Sequence, residues 1–565
     1  MSPSTQRKHP AQTPSSKRNS SSSDDPIGLI SKRQSKDIVI GLCGAIGSGV
    51  KSLRCTLEKS LTEHGYTTHH ILVSDLIQEI TNEKAPKDSF KRYDFFQDLG
   101  DALRSSSGYR ASILAEAAIK EIAKIRHNEK PKTQPIDDLD NPRAAFIIDQ
   151  LKNPQEIKLL RLVYQNNFYL VGSLRELSER KRNLRDEGIK PEQIDRLIHK
   201  DKASNEKTGQ QTAKTILDAD YFIKNNHSHL AELKNKLNRF IGLIHGQIGI
   251  SPSIDEKGMY AAFSASLQSS CLSRQVGAAI LSDKGSILAT GRNDVPKAGG
   301  GLYLFEDKDK DYRCVHKGGK CYNDYHKQKI SNKITSILED RISKRIESLT
   351  NSDSYISQLT SSSNIEESSI KTILNSLKSE AFMSEQWLSD TVSEFSKSSS
   401  LGSLIEFSRA IHAEMDAITS LARLTSESTV GRTMYTTTYP CHNCARHIVA
   451  AGLNKVIYIE PYDKSLALDL HDDAIAESVN GSEPNKVIFQ MFEGVSPRRY
   501  QKFFFSKNDR KDEQGGAYQY EPQNSLQIDL QLLESYRDYE DRVVREYQAT
   551  IDNNTYTNLN LSVSK

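Results

Sequence analysis

His412-Ala413-Glu414 and, further along, Pro440-Cys441-His442-Asn443-Cys444 decide how this chain is read. One imidazole and two thiolates at such spacing make three zinc ligands, which leaves the fourth tetrahedral position open to water. Zinc lowers the pKa of that water toward neutrality, so a nucleophile is available at ordinary pH. Glu414 follows closely on His412 and can carry protons beside it. The expected metal ligands are therefore His412, Cys441 and Cys444, with Glu414 as the catalytic group. Either half alone is weak: a lone C-x-x-C equally describes a structural zinc knuckle or a redox pair, and a lone H-x-E arises by chance on surface helices.

The flanking residues strengthen the combination. Phe407 to Ile411 lead helically into His412, and Met415, Ile418 and Leu421 continue at helical spacing. Thr433-Met434-Tyr435-Thr436-Thr437-Thr438 reads as a strand running into Pro440. Ala445 to Ala451 then reads as a helix ended by Gly452, and Val456-Ile457-Tyr458-Ile459 as the next strand. Two helix starts can thus lie side by side against a sheet, each holding part of the ligand set. H-x-E…P-C-x-x-C is the pattern of zinc-dependent nucleobase deaminases.

A chain of 565 residues is long enough for two to four domains. Its net charge of +3 is too small to argue for strong nucleic-acid binding. No run approaches the roughly 18 apolar residues of a membrane helix, and the N-terminus has no apolar secretory core. Seven cysteines over this length suit metal binding in a reducing compartment better than a disulfide framework, so a cytoplasmic location is expected. Residues 1–36 are rich in Ser, Pro, Lys and Arg and read as a disordered tail. Alternating strand and helix patterns follow over 37–250 and 258–480, separated by the Gly-, Ser- and Pro-containing stretch Ile248 to Ser253, and 481–565 reads as an extension.

The first region opens on Asp37-Ile38-Val39-Ile40-Gly41-Leu42-Cys43, a buried-strand pattern, followed by Gly44-Ala45-Ile46-Gly47-Ser48-Gly49-Val50-Lys51-Ser52. Glycine-rich turns between a strand and a helix let backbone N–H groups cradle phosphate. The Walker pattern is G-x-x-x-x-G-K-[ST]. Counted from Gly44, Gly49 fits but Val50 stands where lysine belongs; counted back from Lys51 and Ser52, both glycine positions fail. Ala145-Phe146-Ile147-Ile148-Asp149 resembles a Walker B strand ending in its acid. The expectation is an α/β P-loop NTPase- or kinase-like domain with a parallel sheet. Its loop residues Gly44, Gly47, Ser48, Gly49, Val50, Lys51 and Ser52, with Asp149, would bind ATP or another nucleotide for regulation. Phosphoryl transfer is not expected, because lysine placement is central to it.

Upstream of the metal pattern, Arg274-Gln275-Val276-Gly277-Ala278-Ala279-Ile280 enters a hairpin that turns at Asp283-Lys284-Gly285 and ends in Gly291-Arg292-Asn293-Asp294-Val295-Pro296. R-Q-V-G-A-x-I, G-x-N-x-x-P, H-A-E and T-x-x-P-C-H-x-C-A together resemble the deoxycytidylate deaminase family. The resemblance implies a cytidine-deaminase-like α/β/α domain with zinc at paired helix N-termini. It implies Asn293 as a substrate contact and loss of the amine at C4 of cytosine, with Glu414 carrying the protons. Arg274 or Lys464 could hold the substrate phosphate, or be ordinary surface cations.

An insertion, 303–400, separates Asn293 from His412. Cys314, His316, Cys321 and His326 in it could bind a second metal or be free side chains, and its remainder reads as surface or subunit-contact helices. The aromatic, basic segment Phe492 to Phe505 is expected to pack against the deaminase-like domain. With Ile148 to Pro154 and Ala219 to Ile223 added, the domain order resembles the bacterial anti-phage dCTP deaminases. This implies dCTP to dUTP and dCMP to dUMP conversion in antiviral defence, a homo-oligomer, and an inhibitory RNA or protein partner. The alternatives are a single-stranded polynucleotide cytidine deaminase, a nucleotide-sensing scaffold, and a bifunctional nucleotide kinase and deaminase.

Overall fold

The computed structural model describes residues 34–106, 110–129, 143–202, 209–225, 230–363, 365–376, 385–462, 465–477, 485–506 and 509–552, except 519, 524, 528 and 530. The chain divides into two compact units, Met1–Pro252 with Glu493–Lys565, and Ser253–Phe492. The expected tail falls almost wholly outside the described residues.

The first unit is built on β1 (Ile38–Gly44), whose seven residues are all buried, followed by α1 (Val50–Glu63). A strand buried on both faces belongs in a parallel sheet covered by helices on each side. That is its setting here: β2 (Thr67–Leu72), β3 (Ala144–Asp149), β4 (Phe168–Leu174) and β5 (Tyr221–Lys224) join it in the order β5-β4-β1-β3-β2, all parallel. Helix α2 (Leu230–Ile244) contributes Leu233, Leu237, Phe240 and Ile241 to the same core as Ile40, Leu57 and Val171.

The second unit starts at Ser253, ahead of the expected Gly258. Ser253 caps α3 (Ile254–Ser266), its Oγ accepting from the Glu256 N–H while Glu256 reaches back to the Ser253 N–H. The sheet comprises β6 (Gly277–Leu281), β7 (Ile287–Arg292), β8 (Thr433–Thr438), β9 (Lys455–Glu460), β10 (Ile475–Glu477) and β11 (Val487–Met491), ordered β10-β11-β9-β8-β6-β7. The hairpin β6–β7 is antiparallel, and β8, β9, β11 and β10 run parallel. Among the described residues, the insertion helices Tyr322–Thr350, Asp353–Ser363, Glu367–Ser376 and Glu385–Ser398 lie between β7 and β8 in the chain.

The C-terminal boundary departs from the expectation of an extension over 481–565. Strand β11 pairs with β9, Ile488 opposite Lys455, so it completes the second sheet. Glu493 onward belongs to the first unit: Gly494 and Val495 pair antiparallel with β5, and Val495 and Phe503 enter that core. The segment from Phe492 to Phe505 therefore does not pack as a block on the second unit. The exposed edge of β5 captures its backbone, because an unpaired strand edge is a template for pairing.

Candidate metal and substrate site

Two helices present the metal pattern. His412 is the N-cap of α4 (Ala413–Leu424) and Cys441 the N-cap of α5 (His442–Ala450), both with extended backbone, at φ −78° and −69°. An N-cap side chain lies beside unpaired N–H groups at the positive end of the helix dipole, where a thiolate is favoured. Cys441 Sγ accepts from the Cys444 N–H at 3.4 Å. Strand β8 delivers Pro440 to this position, and the Pro440 carbonyl is held by the Ser465 hydroxyl at 2.8 Å.

His412 Nδ1 lies 3.3 Å from the sulfurs of both Cys441 and Cys444. Tetrahedral zinc with ordinary Zn–S and Zn–N bonds would separate such atoms by about 3.6 Å. The donor set therefore fits zinc, and these ligand atoms lie within 4.8 Å of one another. The Cys444 thiol donating to Cys441 pulls the latter's pKa down to about 4, while the same pairing pushes Cys444 up. Both sulfurs must be thiolates to hold zinc, so metal binding is linked to proton release.

Glu414 is 4% exposed, and its Oε2 is 3.5 Å from Cys444 Sγ. Burial raises its pKa above the ordinary carboxylate range, against the lowering effect of His412. A buried carboxyl of that kind is a suitable proton carrier.

His412, Glu414 and Cys441 line a cavity of about 350 Å³ together with Asn293, Arg274 and Tyr462. Asn293 is 8% exposed and serves the backbone first: its Oδ1 accepts from the Val276 N–H and its Nδ2 donates to the Arg274 carbonyl, both at 2.7 Å. One N–H and one lone pair of the amide remain for a ligand. Arg274 pairs with Glu460 at 3.1 Å and lies over the Tyr462 ring, 5.4 Å from its centre. Lys464 lies outside the described residues.

The proposed second metal set is not brought together. Cys314 Sγ accepts from Arg409 at 3.9 Å, and His316 is 3.3 Å from Asp311. Cys321 stands at the N-cap position of the helix Tyr322–Thr350, and His326 lies tilted against Phe407 with ring centres 5.4 Å apart. Among the described residues, His412, Cys441 and Cys444 are the group that could hold a metal.

Sequence reasoning missed the groups that position the site. The Arg292 N–H donates to Asp416 Oδ2 at 3.0 Å, tying β7 to α4. The Ile411 N–H donates to the Asp294 carbonyl at 3.0 Å, fixing the backbone just before His412. Asp416 sits in the first turn of a predicted helix, a placement that could have marked it. It also missed Tyr322, Lys327 and Arg409 in the cavity wall.

In the first unit the glycine loop joins β1 to α1. Gly47 and Gly49 have φ of 79° and 75°, which only glycine adopts at little cost. A Cβ on Gly49 would also lie 2.7 Å from Asn225 Nδ2. Side chains tie the loop's carbonyls: Arg180 donates to Ile46, Asn183 to Gly47 and Asn225 to Gly49, at 2.8, 2.9 and 2.7 Å. Gly44 ends β1, Ser48 is buried, and the Ser52 hydroxyl donates to the Gly49 carbonyl at 2.8 Å. Val50 is buried and Lys51 exposed. Asp149 ends β3, 3.9 Å from Arg54, and burial pushes its pKa up to about 6.

Residues 252–460 match the model of the cytidine and deoxycytidylate deaminase zinc-binding region. The deoxycytidylate deaminase of Enterobacteria phage T2 is 47% identical over 55 residues, 10% of this chain and 29% of the phage protein. That of Enterobacteria phage T4 is likewise 47% identical over 55 residues, 10% of this chain and 28% of its own length. ComE operon protein 2 of Bacillus subtilis (strain 168) is 43% identical over 54 residues, 10% of this chain and 28% of the relative. The chain thus spans less than a third of the length of each of these relatives. Among solved structures, apo dCMP deaminase of the cyanophage S-TIM5 matches at 18% identity and a TM-score of 0.20, over 43% of this chain and 100% of that one. The same enzyme with dCMP and dUMP matches at 18% identity and a TM-score of 0.22, with equal coverage. The second unit thus carries a zinc-binding region of the cytidine and deoxycytidylate deaminase type.

Proposed function

We propose that the second unit hydrolyses the exocyclic amine of free deoxycytidine nucleotides, dCTP and dCMP, releasing ammonia and the corresponding deoxyuridine nucleotide. The observation that carries this reading is the buried Glu414, in the wall of one cavity with His412 and Cys441 and 3.5 Å from the sulfur of Cys444. Zinc, when bound by those three residues, supplies a water activated near neutral pH. Glu414 would take one proton from that water and deliver it to ring N3, then take a second from the new C4 hydroxyl and deliver it to the amine, which leaves as ammonia. Its burial keeps bulk water from competing for those protons. Asn293 offers its remaining N–H to the sugar or base, and Arg274 offers a cation on the phosphate side. A cavity of about 350 Å³ is in the range of small-ligand sites, and nearly balanced charge over the chain favours a mononucleotide over a polymer.

We further infer that the first unit binds a nucleotide and regulates the second. The parallel sheet, the glycine loop after β1 and the acid ending β3 support this. Buried Val50, at the position of the phosphate-binding lysine, favours binding over phosphoryl transfer. Depletion of dCTP in anti-phage defence, a homo-oligomer and an inhibitory RNA or protein rest on the resemblance in motifs and domain order. The test is ammonia release from purified zinc-loaded protein offered dCTP, dCMP, deoxycytidine and single-stranded DNA, with and without ATP and dTTP. Activity confined to the polymer would overturn the substrate assignment, and indifference to added nucleotides would overturn the regulation.

A further inference from the structure

The cavity that holds Glu414 is not walled by the sheet and the two ligand-bearing helices alone. Its lining includes Tyr322, Asn323 and Lys327 from the start of the long insertion helix, and Arg409 from the segment that returns from the insertion to His412. The insertion is therefore part of the substrate pocket.

The cations along this wall are held differently. Arg274 has an acid partner, Glu460, at 3.1 Å, so much of its charge is already balanced. Arg409 has no acid partner among the described residues. Its Nη1 donates to the Tyr312 carbonyl at 3.0 Å, and its guanidinium lies over the Tyr322 ring, 5.2 Å from the centre. Those contacts orient the fork while leaving its full positive charge and further N–H groups for an anion. Lys327 donates to the Gly402 carbonyl at 3.2 Å, and its nearest acid, Asp324, is 3.9 Å away and 71% exposed. Carbonyl anchoring positions an ammonium without neutralising it.

Placement also fits. Arg409 precedes His412 by three residues, so their Cα atoms are at most about 10 Å apart along the backbone. The Ile411–Asp294 backbone bond fixes the intervening segment. A base whose amine faces Glu414 would lie in a cavity whose wall also carries Arg409 and Lys327.

We infer that Lys327, from the insertion, and Arg409, from the segment that follows it, form a polyphosphate clamp that makes the pocket select deoxycytidine di- and triphosphates over the nucleoside and monophosphate. This rests on the deaminase reading of the site and names the substrate class within it. Arg409 and Lys327 are specificity-determining residues, since they would touch phosphate and not the reacting atoms.

The test is the kcat/KM series for deoxycytidine, dCMP, dCDP and dCTP, measured on the full-length zinc-loaded wild type, Arg409→Ala, Arg409→Lys and Lys327→Gln. Zinc content checks that each variant is folded at the site. The clamp predicts that wild type prefers dCTP, and that Arg409→Ala lowers the dCTP-to-deoxycytidine ratio at least tenfold, chiefly through KM. Lys327→Gln should lower it less, and Arg409→Lys should restore part of the loss. Should Arg409→Ala lose its zinc, Lys327→Gln alone decides, since its side chain lies farther along the chain from the ligands. Ratios that match wild type, or equal losses on all four compounds, overturn the clamp while leaving the deaminase reading intact. No ammonia from any of the four with wild type overturns both.

Discussion

Gly291 lies against the helix that carries Glu414: a Cβ there would stand 2.3 Å from the Ala413 carbonyl oxygen and 2.3 Å from the Ala417 N–H nitrogen. Backbone atoms cannot swing aside as a flexible side chain can, so strand β7 and helix α4 must separate to admit a methyl group. Gly291→Ala should therefore cost about 1–3 kcal/mol or more through overpacking. It should also lower zinc content, because His412 is the N-cap of α4. Zinc analysis and urea denaturation check this; a variant with full zinc and an unshifted midpoint would show that the approach is looser.

Metal occupancy depends on all three ligands. Wild type should purify with zinc in stoichiometric amount, and His412→Ala, Cys441→Ser and Cys444→Ser should each lose most of it. A chelator should lower the unfolding midpoint of wild type and leave the ligand variants little changed, since metal binding stabilises only the folded state. Atomic emission and calorimetry provide the readouts.

Asn293→Ala should act on both stability and the pocket. It leaves the Val276 N–H and the Arg274 carbonyl without the partners they now have at 2.7 Å. Both bonds are only partly buried, so water can satisfy part of the loss and each should cost less than the roughly 1–3 kcal/mol of a fully buried orphan. Asn293→Asp keeps the acceptor for Val276 and loses the donor to Arg274, so it should fall between wild type and Asn293→Ala. Denaturation midpoints of the three proteins test that order.

The first unit carries a pH liability at His245. Its Nδ1 and Nε2 contact the hydroxyls of Ser525 and Tyr66 at 2.8 and 2.9 Å. Ser525 already donates to the Pro522 carbonyl, so Nδ1–H donates to Ser525 and Nε2 accepts from Tyr66, which requires a neutral ring. Burial, with His64 and Arg143 adding repulsion, lowers its pKa from 6.5 to about 3. The unfolded chain then binds the proton first as pH falls, so stability should decline from pH 6.5 toward 3. His245→Gln should flatten that part of the profile. Hydrogen exchange in α2, which ends at Ile244, reports it; identical slopes for the two proteins would contradict the assignment.

The ligand set was legible because local signals agreed: strand pattern, Pro440, helix start and ligand spacing all fall within short windows. The parallel first sheet was legible for the same reason, from the unbroken apolar run Ile38 to Cys43. What could not be read is long-range. Nothing near Asn293 says that its amide closes onto Arg274 and Val276 just ahead of β6, and nothing near Lys327 places it in the wall of a site whose ligands lie far along the chain. Cys314, His316, Cys321 and His326 have metal-like spacing, but a helix starting at Tyr322 and competing partners such as Asp311 hold them apart. The return of the chain to the first unit rests on the two-residue strand Gly494–Val495, too short to leave a periodic pattern.

The central claim is that Glu414 serves a zinc-dependent deaminase acting on free deoxycytidine nucleotides. Its most direct test is ammonia release from dCTP and dCMP by zinc-loaded wild type and Glu414→Gln, with zinc content measured on both. The account predicts steady release by wild type and loss of at least about a hundredfold in Glu414→Gln, on the scale of removed acid–base catalysis, with zinc retained. Equal turnover by the two proteins, or none by wild type with its zinc in place, would contradict it.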